Sequence, residues 1–216
     1  MSLYVPAHFE MRERAAAARL MHDHPFATLV TPGTQMQVSH VPLLLVHDCE
    51  PHGTLLGHFA RANPHWQAAA RVPSLAVFHG PHAYVSPSWY SDPARAVPTW
   101  NYAVVHAHGV LTIVDEPVET RAILDALVQR FENGREAPWQ FAMPPRERDV
   151  LVGAIVAFRL RIRRIDAKFK LSQNRSAQDR ERVMAALDAE PYAESRATAE
   201  WMRRYAAPRD DEPSGR

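Results

Sequence analysis

Trp100-Asn101-Tyr102-Ala103-Val104-Val105-His106-Ala107-His108-Gly109-Val110-Leu111-Thr112-Ile113-Val114 is the longest stretch of this chain that reads as one strand. Side chains alternate along a strand, so one face carries Trp100, Tyr102, Val104, His106, His108 and Val110. The other carries Asn101, Ala103, Val105, Ala107, Gly109, Leu111 and Ile113. Both faces are largely apolar, as in a barrel wall packed inside and outside. The small residues of the second face leave room for something to approach closely.

The flanking sequence supports that reading. Residues 9–22 read as a helix stopped by His24-Pro25. Strands are expected at Phe26–Thr31, Val38–Val46 (Pro42 marking an edge or bulge), Leu55–Phe59 and Leu75–His79. Asn63-Pro64 opens a short helix, and Gly80 to Tyr90 reads as a rigid aromatic loop. Pro117 opens a helix through Phe131, with Leu124, Leu127, Val128 and Phe131 as its apolar stripe. Val156 to Ile162 alternates cleanly against Arg159 and Arg161, and a turn is expected at Asp166-Ala167. Ser176 to Asp179 forms a capping box, and a last helix follows Pro191 before a frayed tail from Asp210. Many strands with few parallel crossovers favour an antiparallel barrel with helical decoration, a mainly β fold with α (α+β). The expected division is 1–190 as the barrel domain and 191–216 as a C-terminal helix and tail.

Composition narrows the function. The chain has 216 residues, is 46% apolar and carries a formal net charge of +1. A core is affordable, and binding to nucleic acid through bulk charge is not expected. No apolar run approaches the ~20 residues of a membrane span, and no signal peptide is visible. Cys49 is the single cysteine, which fits a cytoplasmic protein. All 12 histidines lie at or before His108. Of 25 basic residues, only Lys168 and Lys170 are lysine, two positions apart.

Three constellations can carry chemistry. Gly57-His58-Phe59-Ala60-Arg61-Ala62-Asn63-Pro64 joins a strand to a helix start, where unpaired N–H groups favour an anion. Arg61, His58 and Asn63 add donors, although an ordinary capped turn would use the same residues. The aromatics of 80–102 can flank a planar ligand or serve as packing. Lys168-Phe169-Lys170 places two compact ammonium groups on one face, in a chain that otherwise uses arginine. No metal framework, hydrolase triad, Walker loop or Rossmann pattern occurs, and no catalytic residue is assigned. Arg159, Arg161, Arg163 and Arg164 form a basic stripe that a solvated strand face explains.

These runs, with Tyr4-Val5-Pro6, Pro25 to Val30, His40 to Leu45, Phe78 to Tyr90, Val97 to His106 and Lys168 to Arg175, resemble the PaiB-type FMN-binding negative transcriptional regulators. The resemblance spans about residues 3–189; Ala157 and Ala167 stand where that family more often has glycine. It implies a split β-barrel related to pyridoxamine 5′-phosphate oxidase, a homodimer, and FMN as cofactor. The phosphate is then expected at Arg61, His58 and Asn63. The flavin ring is expected near Ser39 and His40, with Trp100 and Asn101 from the partner subunit. Lys170 with Gln173 is expected near the pyrimidine end; Lys168 can serve ring or phosphate. The family implies regulation, with DNA binding unsupported by charge. An FMN-dependent oxidoreductase or haem-degrading enzyme is the alternative.

Overall fold

A computed structural model of the chain describes residues 3–206. Seven strands form one antiparallel sheet: β1 Phe26–Thr31, β2 Gln37–Pro42, β3 Leu44–Val46, β4 Thr54–Ala60, β5 Pro73–Val85, β6 Thr99–Val114 and β7 Ile155–Lys170. Their order across the sheet is β2-β1-β5-β6-β7-β4-β3. The two outermost strands, β2 and β3, are separated in sequence by one residue, Leu43. A sheet whose two edges are joined by one residue must curl round on itself, which is how a barrel removes its edges. Pro42 ends β2, and the Leu43 N–H leaves the ladder to reach the Pro25 carbonyl at 2.9 Å. The proline therefore sits at a corner, as an edge proline should.

The helices are α1 Arg14–Asp23, α2 His65–Ala69, α3 Pro117–Glu132, α4 Pro145–Gly153, α5 Ala177–Ala189 and α6 Ala193–Tyr205. The described chain divides into two compact units. One comprises Met21–Phe78 and His106–Ile165; the other comprises Met1–Leu20, His79–Val105 and Asp166–Arg216. We call them the barrel unit and the lysine unit. The expected tail from Asp210 lies outside the described residues.

In the barrel unit, β4 and β7 pair antiparallel from Thr54↔Arg161 to Ala60↔Ile155. Leu56 and Ala157 share a small apolar cluster with Val114 and with Ile123 and Leu127 of α3. The buried residues of α3 are Thr120, Ile123 and Leu127; of the expected stripe Leu127 is buried, Leu124 and Val128 are half-buried and Phe131 is exposed. Gly109 of β6 explains the small residues of that strand. A Cβ there would collide with the Leu160 side chain and the Arg161 carbonyl. The room is filled by the neighbouring strand.

The lysine unit corrects three expectations. Residues 80–85 extend β5 instead of forming a loop. No turn occurs at Asp166-Ala167, because β7 runs unbroken to Lys170. The first helix begins at Arg14, not Phe9. Before it, Ala7–Phe9 form a single 3-10 turn, Glu10 bridges to Lys168, and the Met11 N–H donates to the Ala167 carbonyl at 2.9 Å. The expected last helix is present as α6, and its Trp201 and Tyr205 meet Phe169 with ring centres 5.3 Å away each.

Candidate functional site

The expected site residues fall into two groups, one in each unit. In the barrel unit, the turn after β4 is held by its own backbone. The Arg61 N–H donates to Ala154 O, Asn63 N–H to Ala60 O, and His65 N–H to Asn63 Oδ1. Helix α2 has only five residues. The turn is therefore not the row of unpaired amides that the sequence suggested. Asn63 does act as the expected cap.

Arg61 is a clamp. Its Nε donates to the Gly153 carbonyl at 2.5 Å and its Nη2 to the Ile155 carbonyl at 2.8 Å. A guanidinium has five N–H donors, so three stay available for an anion. His58 lies on the same strand face as Leu56, with Ala157 as its register partner. Its Nδ1 is buried without a hydrogen-bond partner among the described residues. Burial lowers its pKa, outweighing a backbone hydrogen bond at Phe59.

Ser39 and Asn63 meet at a residue that sequence reading missed. His65 is buried and sits in a hydrogen-bonded chain whose direction can be worked out. The Ser74 hydroxyl donates to Val72 O at 3.2 Å, so it accepts from Thr31 Oγ1 at 2.8 Å. Thr31 has one proton, so it accepts from His65 Nε2 at 2.9 Å. Burial favours the neutral ring, and in that form His65 Nδ1 is the unprotonated nitrogen, accepting from Ser39 Oγ at 2.8 Å. Ser39 in turn accepts from Asn63 Nδ2 at 3.0 Å. In the neutral form each proton of the chain has one place. Burial also pushes its pKa below the ordinary value. The neighbouring His40 is exposed, with Nδ1 3.2 Å from Thr28 Oγ1.

In the lysine unit, the Lys170 ammonium donates to Thr99 Oγ1 at 2.5 Å and to the Trp100 carbonyl at 2.6 Å. Its pKa is lowered by burial first, then by the neighbouring charges of Lys168 and Arg175. Lys168 is only 7% exposed; it donates to the Tyr4 carbonyl at 3.1 Å and lies over the rings of Tyr4 and Tyr102. Gln173 ties the end of β7, donating to Phe169 O and accepting from Leu171 N–H. Asn101 is fully buried; its amide donates to Ser172 Oγ at 2.9 Å and to Met202 Sδ at 3.3 Å. Ser172 has a positive φ of 66°, which a non-glycine residue holds only when its surroundings fix it. Trp100 is 53% exposed and meets Tyr84 edge-on, with ring centres 6.0 Å apart.

Each unit offers groups of its own. The lysine unit offers an exposed indole and two ammonium groups. The barrel unit offers a guanidinium with free donors and an orphaned buried imidazole nitrogen. Among the described residues, no group of three or more His, Cys, Asp or Glu could hold a metal ion. No described helix is long and apolar enough to cross a membrane.

A split barrel is the class that this fold defines. Two solved structures share it: the FAD and heme binding protein from Mycobacterium smegmatis, with a TM-score of 0.58 and 20% identity. That alignment covers 74% of this chain and 73% of the other. The flavocytochrome Anf3 from Azotobacter vinelandii gives a TM-score of 0.59 at 11% identity, covering 77% and 72%. Residues 3–164 match the family described as "Putative FMN-binding domain", and the chain belongs to that family. It is 33% identical to "Protease synthase and sporulation protein PAI 2" of Bacillus subtilis, over 93% of this chain and 96% of that protein.

Proposed function

We propose that this chain is a cytoplasmic, homodimeric regulatory protein that holds FMN and acts as a negative regulator of gene expression. The observation that carries the reading is the full-length similarity to the Bacillus subtilis sporulation protein, joined to the FMN-binding family match over residues 3–164. FMN, when bound, supplies a ring that accepts electrons and negative charge. Arg61, His58 and Asn63 of the barrel unit are the phosphate group of this proposal, with Ser39 and His40 beside the ring. Trp100 and Asn101 come to the ring from the second copy, Lys170 with Gln173 serves its pyrimidine end, and Lys168 serves ring or phosphate. Lys170 suits the role because its ammonium is fixed by two acceptors and carries no planar fork.

Regulation without strong direct DNA contact fits the charge. Arg159 pairs with Glu119, Arg161 with Glu50 at 3.6 Å, and Arg164 lies 3.1 Å from His108 Nε2. Most of the basic stripe is thus engaged within the chain. The test is spectroscopic. Purified protein titrated with FMN should quench flavin fluorescence at one site per chain. No saturable quenching would end the flavin reading. Gel shifts at low and high salt then separate direct repression from action through a partner.

A further inference from the structure

The barrel unit holds a cavity of about 520 Å³ whose wall includes Arg61, the one lining residue that the flavin reading assigns to the phosphate. Its apolar lining includes Ile113, Val152, Ile155 and Val156, with Trp66 as a further wall. Four charged residues line it as well: Arg61, Asp115, Arg121 and Asp149. Its size falls in the range of small-molecule sites.

The charges select the ligand. Two arginines and two aspartates sum to zero, which suits a ligand that carries both signs of charge and no net charge. Arg121 gives one Nη1 proton to Asp149 at 2.8 Å. A guanidinium has four more, and Arg121 makes no other polar contact among the described residues. Asp115 has no hydrogen-bond or ionic partner among the described residues. Donors without acceptors and a carboxylate without a donor thus line one apolar-walled cavity.

We infer that this cavity binds a small zwitterion with an apolar body, of the α-amino-acid class, its carboxylate on Arg121 and its ammonium on Asp115. Arg61 holds the wall in place by its grip on Gly153 and Ile155. A planar carboxylate suits the open edge of Arg121, and the branched or aromatic body suits the Ile113 and Val152 side of the cavity.

The test is calorimetry with three probes of one shape: L-leucine, 4-methylpentanoate without the ammonium, and 3-methylbutylamine without the carboxylate. Leucine should bind saturably, at least tenfold tighter than either analogue. Asp115→Asn should weaken leucine about tenfold, the size of one charge-assisted hydrogen bond, and leave 4-methylpentanoate unchanged. Arg121→Gln should do the reverse, weakening both carboxylates and sparing the amine. Asp115 is exposed and Arg121 is half-buried, and melting curves check that each variant folds. Absence of saturable leucine binding overturns the proposal, as does leucine affinity unmoved by both substitutions. FMN is titrated in parallel. Competition between FMN and leucine would mean one shared anion site and would also overturn it. Failure to bind FMN, with leucine binding intact, would strike the flavin reading alone.

Discussion

His65 Nδ1 accepts the Ser39 hydroxyl at 2.8 Å, and that contact fixes the protonation of the whole buried chain from Asn63 to Val72. Protonating Nδ1 would set two donors face to face, since Ser39 already gives its proton there. His58 and His65 both have pKa values below the ordinary 6.5, burial being the leading cause for each. The unfolded chain therefore takes up protons more readily than the folded one as pH falls. The stability they contribute is complete above about pH 6.5 and is lost as pH drops from there through the folded-state values. Urea midpoints should fall between pH 7.5 and pH 5.5. His65→Gln should lower stability at pH 7.5 by about 1–3 kcal/mol and make the pH dependence shallower. An unchanged pH slope in that variant would show that His65 is not the titrating group.

Arg61 has two tasks under the present reading, and they separate experimentally. The clamp on Gly153 and Ile155 is structural; the phosphate contact is not. Arg61→Ala should cost about 1–3 kcal/mol in denaturant unfolding, the lower end reflecting its exposure. It should also weaken FMN by tenfold or more in a fluorescence titration. Stability lost with FMN affinity intact would assign Arg61 to the clamp alone.

Gly109 offers a prediction independent of any ligand. The atom a Cβ would strike includes the Arg161 backbone carbonyl, which cannot rotate away. Gly109→Ala should therefore separate β6 from β7 and cost more than an ordinary overpacked site, about 3 kcal/mol or above. Thermal melting of the purified variant decides it.

What sequence could show depended on the range of the forces involved. Alternation from Val156 to Ile162, the Ser176 cap and the Pro117 helix start were legible because each is local. The long wall of β6 was legible as well. Gly80-Pro81-His82 read as a loop because its turn chemistry is local, whereas the pairing that makes it strand comes from elsewhere in the chain. Asp166-Ala167 misled in the same way. α4 was missed because proline and glycine crowd residues 133–145 before it. At the site, Asn63 as cap was readable from Asn-Pro. His65 was not, since its partners Ser39 and Thr31 lie 26 and 34 positions away. One signal did exist: a histidine directly after Asn63-Pro64, at a helix start that buries it.

Lys170 closes the comparison of lysine with arginine that the composition raises. Its Nζ fits between Thr99 Oγ1 and the Trp100 carbonyl, at 2.5 and 2.6 Å. Phe9 lies beneath it, the ring centre 5.7 Å away. A guanidinium is wider and planar, so it cannot keep both acceptors while occupying the same half-buried place. Lys170→Arg preserves the charge and should still displace the Trp100 backbone. Under the flavin reading, FMN affinity should fall about tenfold or the midpoint potential should move, the change of one charge-assisted hydrogen bond. Lys168→Arg is the companion measurement, because Lys168 touches Tyr4 and Tyr102 and not Thr99. If Lys170→Arg leaves affinity, potential and melting temperature unchanged, lysine has no special role there and its pairing with Lys168 reflects composition alone.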